Sequence, residues 1–316
     1  MSRTTIRWVL THDPIALFED AARRFEELVT EGSDGEICVE VLTPTEYGGG
    51  TRVSPAQVMD EVVSGKLQMS QTYTTVLGRL HDPMWALDLP YLFRSHEHAA
   101  RVLDGPIGRE LLDGLSPHGL HGLAFTYSGG YRIISSTGRP IRSIDDLRGV
   151  HMRTAQNPVV TALFEELGAH PHPAPLQSIP AMTQDGVIEA AESTWPRYWD
   201  LGHHRVQSVV NETSHSLFLT SLMINEAFFQ QLPERLQVVL QDAALATARH
   251  ERDKSVQDGL RSRGECLEHG GEVFTMPESE SQRFEAVAET IRERFADRFG
   301  RELLARISAE AYSAAG

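Results

Sequence analysis

Apolar and polar positions change period along this chain, and each change marks an element boundary. Ile6 to Leu10 reads as a strand. Asp13-Pro14 then gives an N-cap followed by proline at the first helical position. Leu17, Ala21, Phe25 and Leu28 supply the next helix with one apolar face. Ile37-Cys38-Val39-Glu40-Val41-Leu42 alternates as a half-buried strand does, and Gly48-Gly49-Gly50 turns the chain. A helix carrying Val58 and Val62 leads to an extended stretch from Leu67 to Gln71. This strand–helix–strand order predicts an α/β sheet with helices on its faces.

The pattern continues with a strand from His121 to Tyr127, then SGGYRIISSTGRPIRSIDDLRGVHMR from Ser128 to Arg153. Two short strands are expected there, joined by a turn and a helix. Ser143 is the N-cap, Asp146 the third helical position and Gly149 the stop. Arg132 and Arg153 fall at the two strand ends. Pro158 to Leu167 is a helix with Val159, Leu163 and Leu167 on one side, and Glu189 to Thr194 is a strand of mixed exposure. Val206 to Val210 and Leu217 to Met223 read as extended. From Pro233 the stripe Leu232, Leu236, Val239, Leu240 and Ala243 opens a long helix. At roughly 30 residues it would run about 45 Å, more than one lobe is wide, so it is expected to brace two. No repeat and no low-complexity linker interrupts the chain, so crossing strands should join the lobes.

Composition narrows the function. With 316 residues, 41% hydrophobic, the chain can bury a large core split between two lobes. No apolar run approaches the length of a membrane span. The start, MSRTTIRWVLTHDP, lacks an apolar signal core. Two readings follow: a signal was removed and Met added for expression, or the protein is cytosolic. A formal net charge of −15 argues against nucleic-acid binding, and leaves an anionic ligand to be drawn in by local positive charge. Cys38 and Cys266 form no C-x-x-C pair. A disulfide is open in an oxidising compartment, but two isolated buried thiols are the preferred reading.

Most enzyme patterns fall away. Gly48-Gly49-Gly50 lacks G-x-G-x-x-G spacing and a G-K-[ST] ending. His170-Pro171-His172 and His203-His204 come without H-E-x-x-H or partners at ligand spacing, and read as surface or loop histidines. Ser128-Gly129-Gly130 is not G-x-S-x-G. Glu165-Glu166 and Asp145-Asp146 diverge on their helices and read as solvated faces. No metal and no cofactor is called for. What remains is Arg132 and Arg153, whose planar forks can each hold a carboxylate with parallel hydrogen bonds.

Nearly the whole chain resembles the substrate-binding subunit of tripartite ATP-independent periplasmic (TRAP) transporters, of the dicarboxylate-binding-protein type. The resemblance runs through Asp88-Leu89-Pro90-Tyr91-Leu92-Phe93, Gly130 to Arg132, Arg139-Pro140-Ile141 before Asp146-Leu147-Arg148-Gly149, and His151-Met152-Arg153. It continues through Leu167-Gly168-Ala169-His170-Pro171, His215, and Asn225 to Leu232-Pro233. It implies a two-lobed α/β periplasmic-binding-protein-like fold, with an interlobe ligand cleft and a long helix spanning both lobes. The implied boundaries are 1–127 for lobe I, 128–214 for lobe II, 215–256 for a return to lobe I with the start of the spanning helix, and 257–316 for the lobe II return with C-terminal helices.

By the same resemblance, Arg153 stands where the family grips the substrate carboxylate and Arg132 where many members have a second anion contact. Ser193 falls at a frequent substrate-contacting asparagine, Gln156 at another polar contact, and His12 and Tyr73 at cleft-facing positions of the first lobe. Glu192 precedes Ser193 and would orient a ligand group or accept from Arg153. This chain departs from the family pattern at Ser178, Pro180 and Glu189-Ala190, and carries Trp195 two residues past Ser193. Tyr73, Tyr127, Tyr131 and Trp195 near these positions favour an organic acid with an aromatic or branched hydroxy or keto body. The implied function is a periplasmic, monomeric solute-binding protein serving TRAP membrane subunits in ion-driven transport, not an enzyme. The alternatives are a cytosolic organic-acid sensor and an enzyme acting on an organic acid.

Overall fold

Ten strands form among the described residues of the computed structural model, which are 3–10 and 16–312. They are β1 (Thr4–Val9), β2 (Ile37–Leu42), β3 (Met69–Tyr73), β4 (Leu120–Ser136), β5 (His151–Thr154), β6 (His170–Pro173), β7 (Ala190–Thr194), β8 (Val209–Glu212), β9 (Leu217–Asn225) and β10 (Glu272–Thr275). The expected cap at Asp13-Pro14 lies outside the described residues. The chain divides into two compact units. The first comprises Met1–Asp82, Ala99–Tyr127 and Leu219–Lys254, and the second Pro83–His98, Ser128–Phe218 and Ser255–Gly316. β4, β9 and the helix Glu234–Glu268 each contribute to both. That helix has 35 residues, about 52 Å at the α-helical rise.

In the first unit β1 pairs in parallel with β2 and with β3, and β3 pairs antiparallel with β9. The helix Ala16–Gly32 buries Leu17, Phe18, Ala21, Ala22, Phe25 and Val29, and Leu28 sits at the flank of that stripe. Phe25 meets Trp8 of β1 edge-on, with ring centroids 5.3 Å apart. Leu236, Leu240, Ala243, Ala244 and Ala248 of the long helix close the same core. Inside it, Gln71 Nε2 lies 2.9 Å from Thr126 Oγ1, 3.1 Å from Thr220 Oγ1 and 2.7 Å from Glu251 Oε1. This polar contact ties β3 to β4, β9 and the long helix.

In the second unit β7 lies between β4, antiparallel to it, and β5, parallel to it. β6 pairs in parallel with β5 at the end of the strand order, while β8 joins β4 and β10. All five residues of β7 are buried. The sequence predicted mixed exposure there because Glu192, Ser193 and Thr194 are polar. Their central position between two strands overrides that pattern.

Pro83–His98 belongs to the second unit, whereas the implied boundaries put it in the first. Its ties explain this: Asn157 Nδ2 donates to Asp88 at 2.8 Å, Arg292 Nη1 donates to Pro90 O at 2.8 Å, and His98 meets Ile307 O at 2.7 Å. Tyr91 also packs edge-on against Phe284. The turn after Ser143 is a single 3₁₀ turn, Ile144–Leu147, in which the Asp146 carboxylate accepts from the Ser143 N–H at 2.9 Å. Both cysteines are free thiols, Cys266 buried and Cys38 only partly so.

β4 runs unbroken through Gly129 and Gly130, which hold φ of 95° and 83°. A Cβ on Gly129 would stand 2.2 Å from Thr194 Oγ1. Left-handed backbone at a non-glycine residue costs about 1–3 kcal/mol, and the clash adds to it. Gly129→Ala is therefore expected to lower stability by at least that much. Chemical denaturation would show it as a fall in midpoint at unchanged slope.

Candidate ligand-binding site

The strand register of the second unit assembles a buried charge cluster. Arg132 is paired with Thr194 across β4–β7, and Ile134 with Glu192. Residues two apart on a strand share a face, so Arg132 and Glu192 meet diagonally. Arg132 Nη1 donates to Glu192 Oε2 at 2.7 Å, and its guanidinium lies 3.8 Å from the centroid of the Phe218 ring. From β5, Arg153 donates through Nε to Ala174 O at 2.7 Å and through Nη1 to Glu192 O at 3.1 Å. Its Nη1 also stands 3.7 Å from Glu192 Oε1. That carboxylate oxygen accepts from the Ala155 N–H at 2.7 Å.

Exposure is 1% at Arg132, 4% at Arg153 and 0% at Glu192, so these charges are desolvated. Burial pushes the Glu192 carboxyl up, but Arg132, the His215 ring and Arg153 outweigh it and hold the group at about 2. Burial lowers Arg153 to about 10 against the pull of Glu192, and repulsion from Arg132 and Arg197 adds to the fall. Arg153 remains a cation at neutral pH. Burial also lowers His215, although Glu192 opposes it. The His215 Nε2 is 3.8 Å from Glu192 Oε2, beyond hydrogen-bonding distance, and its Nδ1 is 2.7 Å from Thr213 Oγ1.

Polar capacity is left over. Nε and Nη2 of Arg132 and Oγ of Ser193 have no hydrogen-bond partner among the described residues. Buried donors in that state are uncommon in a finished interior, and here they sit on or beside the same β4–β7 pair.

The other expected positions are dispersed. Gln156 is exposed in the bend after β5, and Tyr73, half-buried, ends β3 in the first unit. His12 lies outside the described residues. Trp195 is a core residue, packed with Ile133, Tyr198, Val210 and Cys266, with Nε1 donating to Glu212 Oε1 at 3.2 Å. Tyr127 is buried in the first unit. Tyr131 gives its hydroxyl to Phe93 O at 3.2 Å and leans on His96, with centroids 4.9 Å apart.

Two neighbours escaped the sequence reading. Arg197, in the helix Trp195–Asp200 that follows β7, is buried and donates through Nε to Ser128 Oγ at 2.7 Å. Its guanidinium lies 5.3 Å from the centroid of the Phe218 ring that also carries Arg132. His203, expected on a surface or loop, is buried at the start of the turn His203–Arg205. Burial first, then Arg153 and Arg197, pushes it down to about 3 and keeps it neutral.

Removing Glu192 would leave two buried guanidiniums with no carboxylate between them. Breaking a buried pair costs about 3–5 kcal/mol, and Glu192→Gln is expected to destabilise by that order in denaturant melts. Because the folded-state value of Glu192 is depressed from its usual 4.5 to about 2, its contribution is complete above the usual value. It is lost as pH falls from there through about 2. Wild type should lose stability over that interval more steeply than Glu192→Gln.

Comparison with known proteins finds a family model described as bacterial extracellular solute-binding protein, family 7 (DctP), matching residues 11–298. The C4-dicarboxylate-binding protein DctB of Bacillus subtilis is 26% identical over 285 residues, covering 90% of this chain and 80% of that one. The 2,3-diketo-L-gulonate-binding periplasmic protein YiaO of Escherichia coli is 28% identical over 256 residues, covering 81% and 76%. A crystal structure of a TRAP periplasmic solute-binding protein from Xanthobacter autotrophicus with bound β-D-galacturonate superposes with a TM-score of 0.86. It is 26% identical to this chain, covering 96% of this one and 99% of that one.

Proposed function

The chain belongs to family 7 of the bacterial extracellular solute-binding proteins, the periplasmic binding subunits of TRAP transporters, and from that premise we propose that it captures a small organic acid whose carboxylate is seated on Arg153 and Arg132. One observation carries this reading: two buried guanidiniums share a single carboxylate, and Nε and Nη2 of Arg132 have no partner among the described residues. An incoming carboxylate supplies the missing acceptors and charge. Glu192 holds both arginines in place. Ser193 Oγ is the further polar contact, and Gln156 is not assigned one. Tyr73 belongs to the first unit, His12 lies outside the described residues, and neither is needed for this seat.

The body of the ligand is read from the rings and the relatives together. Trp195 and Tyr127 are spent in cores, and the Tyr131 hydroxyl already has an acceptor. That weakens the case for an aromatic body. Buried, unpartnered donors suit hydroxyl and keto oxygens, and the relatives' names, a diketogulonate and a galacturonate among them, point the same way. The proposed ligand is thus a hydroxy or keto monocarboxylate of the sugar-acid kind. The protein would hold it in the periplasm as a monomer and deliver it to TRAP membrane subunits, with no bond made or broken. The relatives named above are described as binding proteins.

Arg153→Ala is expected to weaken binding by about two to nearly four orders of magnitude, the equivalent of losing one partner of a buried ion pair. The thermal midpoint without ligand should fall as well, because Arg153 also serves the buried Glu192 carboxylate and the Ala174 carbonyl, so affinity is compared at a temperature where both variants are folded. Arg153→Lys should recover little, because an ammonium cannot reproduce the two parallel bonds of the fork. Titration calorimetry on both variants decides this, and near-native affinity in either removes Arg153 from the site.

A thermal-shift screen should rank uronates and aldonates above succinate and above aryl-lactates. A ligand at about 100 times its dissociation constant stabilises by about 2.7 kcal/mol. A screen in which only neutral sugars shift the melt would overturn the carboxylate reading. One led by aryl-lactates would overturn only the sugar-acid part.

A further inference from the structure

Three imidazoles share one face of the β5–β6 strand pair. His151 is the register partner of His170, and Arg153 that of His172. Parallel partners point to the same side, and so do residues two apart on a strand. His151, His170 and His172 therefore stand together. The ring centroids of His151 and His170 are 4.8 Å apart, and those of His151 and His172 are 5.2 Å apart. His151 Nδ1 and His172 Nε2 approach to 2.9 Å. His151 and His170 are exposed and His172 partly so, so all three can turn and all can be reached from solvent.

That separation is informative. Imidazole nitrogens bind late first-row metals at about 2.0–2.1 Å, so two of them on one ion lie about 2.9–3.4 Å apart, in octahedral or tetrahedral arrangement. The pair is already at chelating distance. Among the described residues no group of three or more histidines, cysteines or carboxylates is already placed to hold a metal. His151 and His172 are accordingly the primary donors. His170, the register partner of His151 with its ring 4.8 Å from that ring, is the candidate third donor. Imidazole donors without thiolate or carboxylate select zinc, nickel or copper over magnesium or calcium.

We propose that His151, His172 and His170 form a surface chelate for a divalent late transition-metal ion, linking the outermost strand β6 to β5. β6 ends the strand order and carries Pro171 and Pro173, which give no ladder donor. A metal bridge would thus hold a strand with few hydrogen bonds of its own. It would also steady the segment whose Ala174 carbonyl receives Arg153, without taking part in ligand capture.

The test is titration of the full chain with nickel chloride near neutral pH, followed by calorimetry and by the thermal midpoint. Wild type should show a one-equivalent component, reversed by a chelator, with a rise in midpoint. Both should vanish in His151→Asn/His172→Asn and persist in His250→Asn, which removes the exposed His250–Asp20 pair instead. Absence of that component in wild type, or its survival in the double variant, overturns the proposal. Because all three proteins are also titrated with the organic acid, failure of the metal site is read separately from failure of the carboxylate site.

Discussion

Burying a guanidinium is unfavourable by several kcal/mol unless a partner charge and hydrogen bonds replace its water. The second unit buries two beside a single carboxylate, and its architecture is arranged around that constraint. Glu192 sits on a strand with neighbours on both sides, so a guanidinium from each neighbour can reach its carboxylate. β7 provides this, with β4 delivering Arg132 and β5 delivering Arg153. Backbone carbonyls of Ala174 and Glu192 complete Arg153, and the Phe218 ring covers Arg132. The positive excess left over is what an anionic ligand would neutralise, in a chain whose overall charge is strongly negative.

The glycines before Arg132 belong to the same arrangement. Gly129 must take a left-handed conformation with nothing beyond Cα, because Thr194 of β7 closes against it and donates to Ser128 O at 2.9 Å. That close approach lets β4 continue as one strand and sets the register that brings Arg132 to Glu192. Arg197, in the helix that follows β7, is buried, and His203, in the turn after that helix, is buried and kept neutral. Burial and the nearby Arg153 and Arg197 keep that imidazole uncharged.

Much of this was legible in the sequence because local rules and tertiary environment agreed. The α/β order, the Ser143 cap with Asp146 and the long helix after Pro233 follow from periodicity and caps, although the helix expected after Ser143 is a single 3₁₀ turn and Arg132, expected at a strand end, lies inside β4. Legibility failed where environment overrode pattern. β7 looks half-exposed by its polar residues and is buried throughout. Trp195, next to a predicted contact, fills a core instead. His203 reads as a loop residue and is interior. Pro83–His98 joins the second unit through contacts to residues some 70 to 210 positions away in sequence, which no local window can register. The grouping of His151 with His170-Pro171-His172 depends on the β5–β6 register in the same way.

The central claim is that the Arg132–Glu192–Arg153 cluster is an anion seat rather than a structural ion pair. A crystal structure of the protein with the organic acid that shifts its melt most strongly would test this directly. The account predicts a ligand carboxylate oxygen within hydrogen-bonding distance of the Arg153 guanidinium, with Arg132 Nε or Nη2 newly partnered. A ligand whose carboxylate lies away from both arginines, with the Arg132 donors still unpartnered, would contradict it.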